Sequence, residues 1–113
     1  MTESGTILFA YVTAANDEEA RRIGRALVEE GLAACVNLPP PHMAIYRWEG
    51  AVAEEPEQAL IAKTTAARFD ELVRRVRALS SYDVPCIVAL PVAAGDADFL
   101  SWVAMQVRLP PSG

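Results

Sequence analysis

The stretch ILFAYVTAANDEEARRIGRALVEEGL, Ile7–Leu32, decides how the chain folds. Its first part alternates, with Ile7, Phe9 and Tyr11 on one side and Leu8, Ala10 and Val12 on the other. Apolar residues on both sides, several of them β-branched or aromatic, predict a central strand over Ile7–Thr13 that is covered on at least one face. Asn16 then offers a side-chain oxygen as N-cap, and Glu19 stands three residues on as its capping-box partner. Asp17, Glu18 and Glu19 suit the positive end of a helix dipole. Ala20, Ile23, Gly24, Leu27 and Val28 follow as one apolar stripe, and Gly31 is the natural residue to end the helix.

Working outward from this pair, Leu32–Leu38 is a second extended run, broken by Pro39-Pro40-Pro41. Prolines cannot donate to a sheet ladder, so the strand must end, bulge or leave the sheet there. Extended structure resumes over Met43–Glu49, Glu49-Gly50 signals a turn, and Ala51–Thr65 reads as the returning strand of a hairpin. Within it Glu54-Glu55-Pro56 marks a bulge or a solvent-facing edge. Ala66–Ser80 carries a second helical stripe, Phe69, Leu72, Val73, Val76 and Leu79. Val84–Val92 is a further strand whose Pro85 and Pro91 assign it to an edge. Asp96 caps a short last helix bearing Phe99, Trp102, Val103 and Val107, and Pro110-Pro111 closes the chain. The order β-α-β-β-α-β plus a C-terminal helix is an α+β, ferredoxin-like pattern over one domain, 1–113. With strands numbered along the chain, right-handed crossovers and the middle hairpin give the order 4-1-3-2. The second and fourth strands then form two unlike open edges, which favours head-to-tail strand addition between copies and closure into a ring.

Composition narrows the function classes. Ten basic and 15 acidic residues among 113 leave a net charge of −5, so no general field draws nucleic acid or an anionic bilayer. The apolar runs fall short of the roughly 20 residues a membrane span needs. Met1-Thr-Glu-Ser-Gly5 shows neither a basic nor an apolar leader region, and two cysteines without one suggest reduced thiols in a cytoplasmic protein. Phosphate-binding glycine loops, nucleophile elbows and zinc-binding His or Cys spacings are all missing. With His42 the sole histidine, on a proline-rich loop, a Ser/His/Asp triad has no rigid base. No catalytic constellation is recognisable, and the chain reads as a non-enzyme.

A few residues stand out chemically. Lys63 is the one lysine beside nine arginines, on a strand face with Ala59 and Ile61, where a compact ammonium serves either packing or a ligand. Tyr46, Trp48 and Tyr82 suit a ligand cleft or a subunit interface as well as a half-buried sheet. Cys35 lies in an apolar run, and Cys86 follows Pro85 at a strand start, where a thiol is more open. The runs Asp17-Glu18-Glu19 and Glu54-Glu55-Glu57 read as a helix cap and a solvated hairpin flank, without the alternation of a hard-metal loop.

These residues occur in a pattern that resembles the CutA family of divalent-ion tolerance proteins. The matching segments are Val12-Thr-Ala, Ala26-Leu-Val-Glu-Glu-Gly-Leu-Ala-Ala-Cys-Val-Asn37, Tyr46-Arg-Trp-Glu-Gly50, Lys63-Thr-Thr65, Tyr82-Asp-Val-Pro85 and Asp98-Phe-Leu-Ser-Trp102. The resemblance runs from about Ile7 to Val107 and implies a ferredoxin-like subunit in a tight homotrimer, in outline like the PII signalling proteins. It implies tolerance to copper and other divalent cations through binding, and carries no settled enzymatic reaction; eukaryotic relatives are linked to acetylcholinesterase anchoring. It places Cys35, Tyr46, Trp48, Lys63, Thr65, Tyr82 and Pro85 around clefts between subunits, with Cys86 where the family commonly has glutamate. The positions that match the family's copper ligands are Val12, Leu79 and Ser80, so that site does not carry over. Cys86 is then the remaining metal candidate, as a thiolate stabilised by Lys63.

The expected function is therefore a homotrimer for divalent-cation tolerance, possible partners being itself, a metal ion such as copper, or a small molecule. The alternative is a PII-like regulatory module that binds a small anionic metabolite in intersubunit clefts through Lys63. An enzyme built on Tyr82, Lys63 and Cys86 is the third.

Overall fold

The computed structural model describes residues 5–107. Both Met1–Ser4 and the closing Pro110-Pro111 lie outside the described residues. The first strand, β1 (Ile7–Ala14), leads into α1 (Asp17–Glu29). The chain continues through β2 (Cys35–Asn37), β3 (His42–Trp48) and β4 (Ala51–Thr65). A 3₁₀ turn (Ala66–Arg68) then opens α2 (Phe69–Leu79), followed by β5 (Ile87–Pro91) and α3 (Ala97–Gln106).

The first strand and helix form as their residues dictate. The Asn16 side chain accepts from the Glu19 N–H, and Gly31, at φ 72°, turns the chain out of α1. Leu32 donates its N–H to the Leu27 carbonyl at 2.8 Å and Gly31 to Val28 at 3.1 Å, the paired bonds of a Schellman ending. Ala33 donates to Leu27 as well. That use of Leu32 and Ala33 is why the second strand begins only at Cys35, three residues later than the apolar run suggested.

The sheet is antiparallel with the order β2-β4-β1-β5, the expected 4-1-3-2 in the chain's own strand numbers. The second strand is split in two. Pro39–Pro41 remove three donors in a row, so β2 pairs with Ile61–Lys63 of β4 and β3 pairs separately with Ala51–Glu57. The register of β3 against β4 never slips from His42↔Glu57 to Trp48↔Ala51, so Glu54-Glu55-Pro56 is a solvent-facing edge and not a bulge. Glu49 (φ 48°) and Gly50 (φ 83°) both take the left-handed conformation of a tight hairpin turn. Counting back from that turn puts Pro56 at a position that owes no hydrogen bond to β3, which is how the strand tolerates it. Beyond Gln58 the strand β1 has ended, so β3 and the first half of β4 project as a two-stranded arm. On the other side β5, among the described residues, pairs with β1 alone, the edge its prolines required.

One face of the sheet is sealed. Ala10, Val12, Leu60 and Ala62 pack under Ile23 and Leu27 of α1 and Leu72 and Val76 of α2. Gly24 permits close approach here, since a Cβ at that position would come within 3.3 Å of Val36 Cγ1. Among the described residues the opposite face is covered at one end only, where Val103 and Val107 of the C-terminal segment meet Ile7, Phe9 and Ala34. Towards the arm no described residue covers that face.

Candidate functional site

The open end of the second face becomes a site because three segments converge on it. Strand alternation puts Tyr11 and Thr13 of β1 on that face, with Ala44, Tyr46 and Trp48 of β3 and Glu55 and Glu57 of β4 beside them. The segment between α2 and β5 forms the third wall and is held in place by Glu19. This buried carboxylate accepts from the Ser81 N–H at 2.7 Å and the Ala15 N–H at 2.9 Å. Burial alone would raise its pKa, but the Ala15 N–H, the Ser81 side chain and N–H, and Arg22 together outweigh burial, and its carboxyl lies below its ordinary value. Thr13 adds a bond from its N–H to the Cys86 carbonyl at 3.2 Å. The resulting cavity, about 680 Å³, is lined by aromatic rings from Tyr11, Tyr46, Trp48 and Tyr82 and by Glu55, Glu57 and Asp83.

Glu57 is its electrostatic centre. One carboxylate oxygen meets His42 Nε2 at 3.1 Å and the other accepts from the Tyr82 hydroxyl at 3.1 Å. Burial, then the Glu57 charge and hydrogen bond, push the Tyr82 phenol far above its ordinary value, so it stays a donor. Cys86 is exposed as a residue, yet partial desolvation of its thiol and then the Glu57 charge push it up, which keeps it protonated at neutral pH. His42 and Glu57 form a two-donor pair. Among the described residues no group of three or more His, Cys, Asp or Glu converges as a metal centre.

The residues singled out by sequence separate into two places. Tyr46, Trp48, Tyr82 and Cys86 come together in the cavity, and Pro85 lies on the approach to β5 without lining it. Lys63, Cys35 and Thr65 sit farther along the same face. Lys63 is only 5% exposed; it donates to the Asn37 side-chain oxygen and lies 5.4 Å from the centroid of the Phe9 ring. Cys35 faces it across the β2–β4 pair, and Thr65 is paired with Ile7 at the α3 end. The Lys63 row crosses β1 at Phe9 and the Cys86 row at Thr13, four residues or about 13 Å apart. What raises the thiol is desolvation first and the Glu57 charge second, and the Lys63 ammonium has no part in it. Val12 is fully buried in the core, Leu79 packs against it, and Ser80 Oγ accepts from the Tyr82 N–H.

Sequence reasoning did not single out Glu57 as the hub, nor its partner His42, nor the tie made by Glu19. A signal for the first two was present. Counting back from the Glu49-Gly50 turn sets His42 opposite Glu57, and Glu57 shares the odd-numbered face with Lys63. The tie from Glu19 to Ser81 spans 62 residues, and nothing local announces it.

A sequence profile described as CutA1 divalent ion tolerance protein matches residues 8–106. A divalent-cation tolerance protein CutA of Thermus thermophilus is 51% identical over 92 residues, covering 81% of this chain and 89% of that protein. The chloroplastic CutA 1 of Oryza sativa is 39% identical over 101 residues, 89% of this chain, and is longer, so the chain spans 57% of its length. The solved structure of a Cut A1 divalent cation tolerance protein from Thermus thermophilus superposes with a TM-score of 0.88 at 46% identity, covering 90% of this chain and 99% of that one. Strand order, helix placement and these matches agree, and the chain belongs to the CutA1 divalent ion tolerance family.

Proposed function

We propose that the chain serves divalent-cation tolerance in the cytoplasm as a homotrimer, binding a metal ion such as copper and turning over no substrate. The observation that carries this reading is the set of large apolar side chains a single chain leaves in water. Ile45 and Val52 on the arm and Leu90 on β5 are 65–67% exposed, and Val88, Trp102 and Met105 are exposed with them. Together with two unlike sheet edges, they favour head-to-tail association that closes on itself. Binding in place of turnover is supported by the site's chemistry: Tyr82 and Cys86 are both held protonated, so neither is poised as a base or nucleophile. His42 and Glu57 are in contact, and among the described residues no third His, Cys, Asp or Glu joins them as a metal centre, so a fuller coordination shell calls on a second copy. Two free cysteines suit a reducing compartment.

A second reading rests on Lys63, a buried ammonium whose hydrogen-bond partner is an amide and not a carboxylate. A PII-like module would use that charge for a small anionic metabolite in a cleft between subunits. Native mass spectrometry of reduced, tag-free protein, with and without stoichiometric copper, tests both readings. A trimer that takes up a fixed number of copper ions supports the first. A bare trimer overturns the copper reading and directs the search to anionic metabolites, with Lys63→Met as the control that abolishes their binding. A monomer overturns the assembly.

A further inference from the structure

The arm carries one pairing that the hydrophobic core does not call for. His42 and Glu57 stand directly opposite each other across β3 and β4, with side chains 34% and 17% exposed, so solvent reaches both. Counting from the Glu49-Gly50 turn makes theirs a pair that exchanges both backbone bonds, with Cα atoms about 5.5 Å apart and side chains on one side of the ribbon. Their Nε2 and Oε1 atoms lie 3.1 Å apart. Two donors bound to one tetrahedral ion at about 2.0–2.1 Å stand about 3.3 Å apart, so an ion can replace the shared hydrogen with little movement. The second oxygen of Glu57 already accepts from the Tyr82 hydroxyl at 3.1 Å. That bond leaves Oε1 facing His42 and fixes its direction, as outer partners of a metal-bound carboxylate do. Glu55 and Asp83 line the adjoining cavity, and no lysine or arginine does, so the local field favours cations. No sequence spacing announces the pair, because its members lie 15 residues apart and meet only across the hairpin.

We propose that His42 Nε2 and Glu57 Oε1 are the ligands by which each chain holds a borderline divalent ion, zinc above all, with Tyr82 as a positioning residue. Such a site rests on the cation-binding reading above and narrows it to an ion class and a donor set. Imidazole with carboxylate suits zinc and oxidised copper, whereas reduced copper takes thiolates and thioethers and magnesium takes oxygens alone. In a reducing compartment zinc is the ion of that class that stays divalent. The pair adjoins the residues that the family resemblance places between subunits. Positions left open on the ion therefore fall to water and to donors of a neighbouring copy.

Isothermal titration calorimetry of the full chain, reduced and freed of metal by a chelator, tests the site with zinc chloride and, in parallel, magnesium chloride. The expected result is one zinc per chain and no magnesium. His42→Ala and Glu57→Gln each weaken zinc uptake by about tenfold or more, and Tyr82→Phe by about tenfold. Cys86→Ser leaves it unchanged. His42 lies outside the core, so His42→Ala keeps the metal-free stability of the parent in thermal unfolding. A Tyr82 that served folding alone would leave the zinc affinity of the folded chain untouched. Absence of zinc uptake, equal uptake of magnesium, an affinity unchanged in both ligand variants, or one lost in Cys86→Ser would overturn the proposal. Copper taken up by the trimer without zinc overturns this site and leaves the cation reading standing, while uptake of neither ion overturns both.

Discussion

The two halves of β4 share one backbone and live in different surroundings. From Gln58 to Thr65 the strand is flanked by β1 along its whole length and by β2 in part, and every residue but Ile61 is buried. From Ala51 to Glu57 it has β3 alone, and most of its side chains face water. The buried half is specified by packing, because helices sit on one face and a register slip would expose the core. The outer half is specified by its turn and hairpin hydrogen bonds, which leaves its side chains free to meet something else. The candidate site lies at the junction, where Glu57 is the last residue of the arm.

The largest test of this contrast is a pair of truncations on the one strand. Leu60→Ala removes a fully buried side chain from under α1 and α2 and is expected to cost about 3–4 kcal/mol in urea unfolding. Val52→Ala, on a side chain 65% exposed, is expected to change stability by less than about 0.5 kcal/mol. Similar costs at the two positions would mean that the arm is packed in solution as tightly as the core, as an assembled protein would show above its association threshold. Repeating the pair across protein concentrations separates those cases.

Next in size is Glu19→Gln, which attacks the link between the sealed layer and the site. The carboxylate accepts from two N–H groups, and its loss is expected to cost about 1–3 kcal/mol and to loosen the segment around Ser81 and Tyr82. Because the folded carboxyl lies below its ordinary value, the native state holds fewer protons than the unfolded chain as the pH falls. Its contribution is whole above the unfolded pKa of about 4.3 and is lost as pH drops through the lowered folded value. The variant should therefore show a flatter loss of stability in acid than the parent. Parallel acid curves would remove Glu19 from the role of tie.

How much of this was legible in the sequence follows the same division. The first strand and helix were readable because local signals agree there: alternation, the Asn16 cap, the stripe from Ala20 to Val28, and Gly31. The boundary of β2 was not, because Leu32 and Ala33 are as apolar as a strand but complete the helix ending by bonding back to Leu27. The aromatic part of the site, Tyr46, Trp48 and Tyr82, was picked by residue type, and the structure brings those three together with Cys86. Lys63 was picked by its rarity and lies elsewhere on the face, since rarity says nothing about row. Its neighbours, Cys35 across the pair and Phe9 beneath it, follow from registers that only the assembled sheet fixes.

A smaller effect is expected at the tip of the arm. Gly50 sits at φ 83°, and Gly50→Ala would hold a Cβ in the left-handed region at a cost of about 1 kcal/mol. Among the described residues beyond its two chain neighbours, nothing lies within 4 Å of that added Cβ, so the cost is conformational and not a clash. Because the core half of β4 is anchored by β1, amide exchange should quicken over His42–Glu57 and stay unchanged over Gln58–Thr65. Faster exchange in both halves would show that the strand opens as one unit and would break the contrast.

The finest probe uses the thiol that faces the arm. Burial first, and then the charge of Glu57, raises the pKa of Cys86, so its alkylation by iodoacetamide should have a midpoint above the usual thiol value of about 8.5. A Cys35→Ser background makes Cys86 the one thiol read, since the chain has two cysteines. Glu57→Gln removes one of the two causes and leaves burial in place, so the midpoint should fall part of the way back and the rate at neutral pH should rise. The direction matters more than the size. A thiol whose nearest strong charge were the Lys63 ammonium would titrate below the ordinary value, and Glu57→Gln would leave it there. A midpoint above the ordinary value that drops in the variant therefore shows that the charge acting on the thiol is the arm's carboxylate and not the buried lysine.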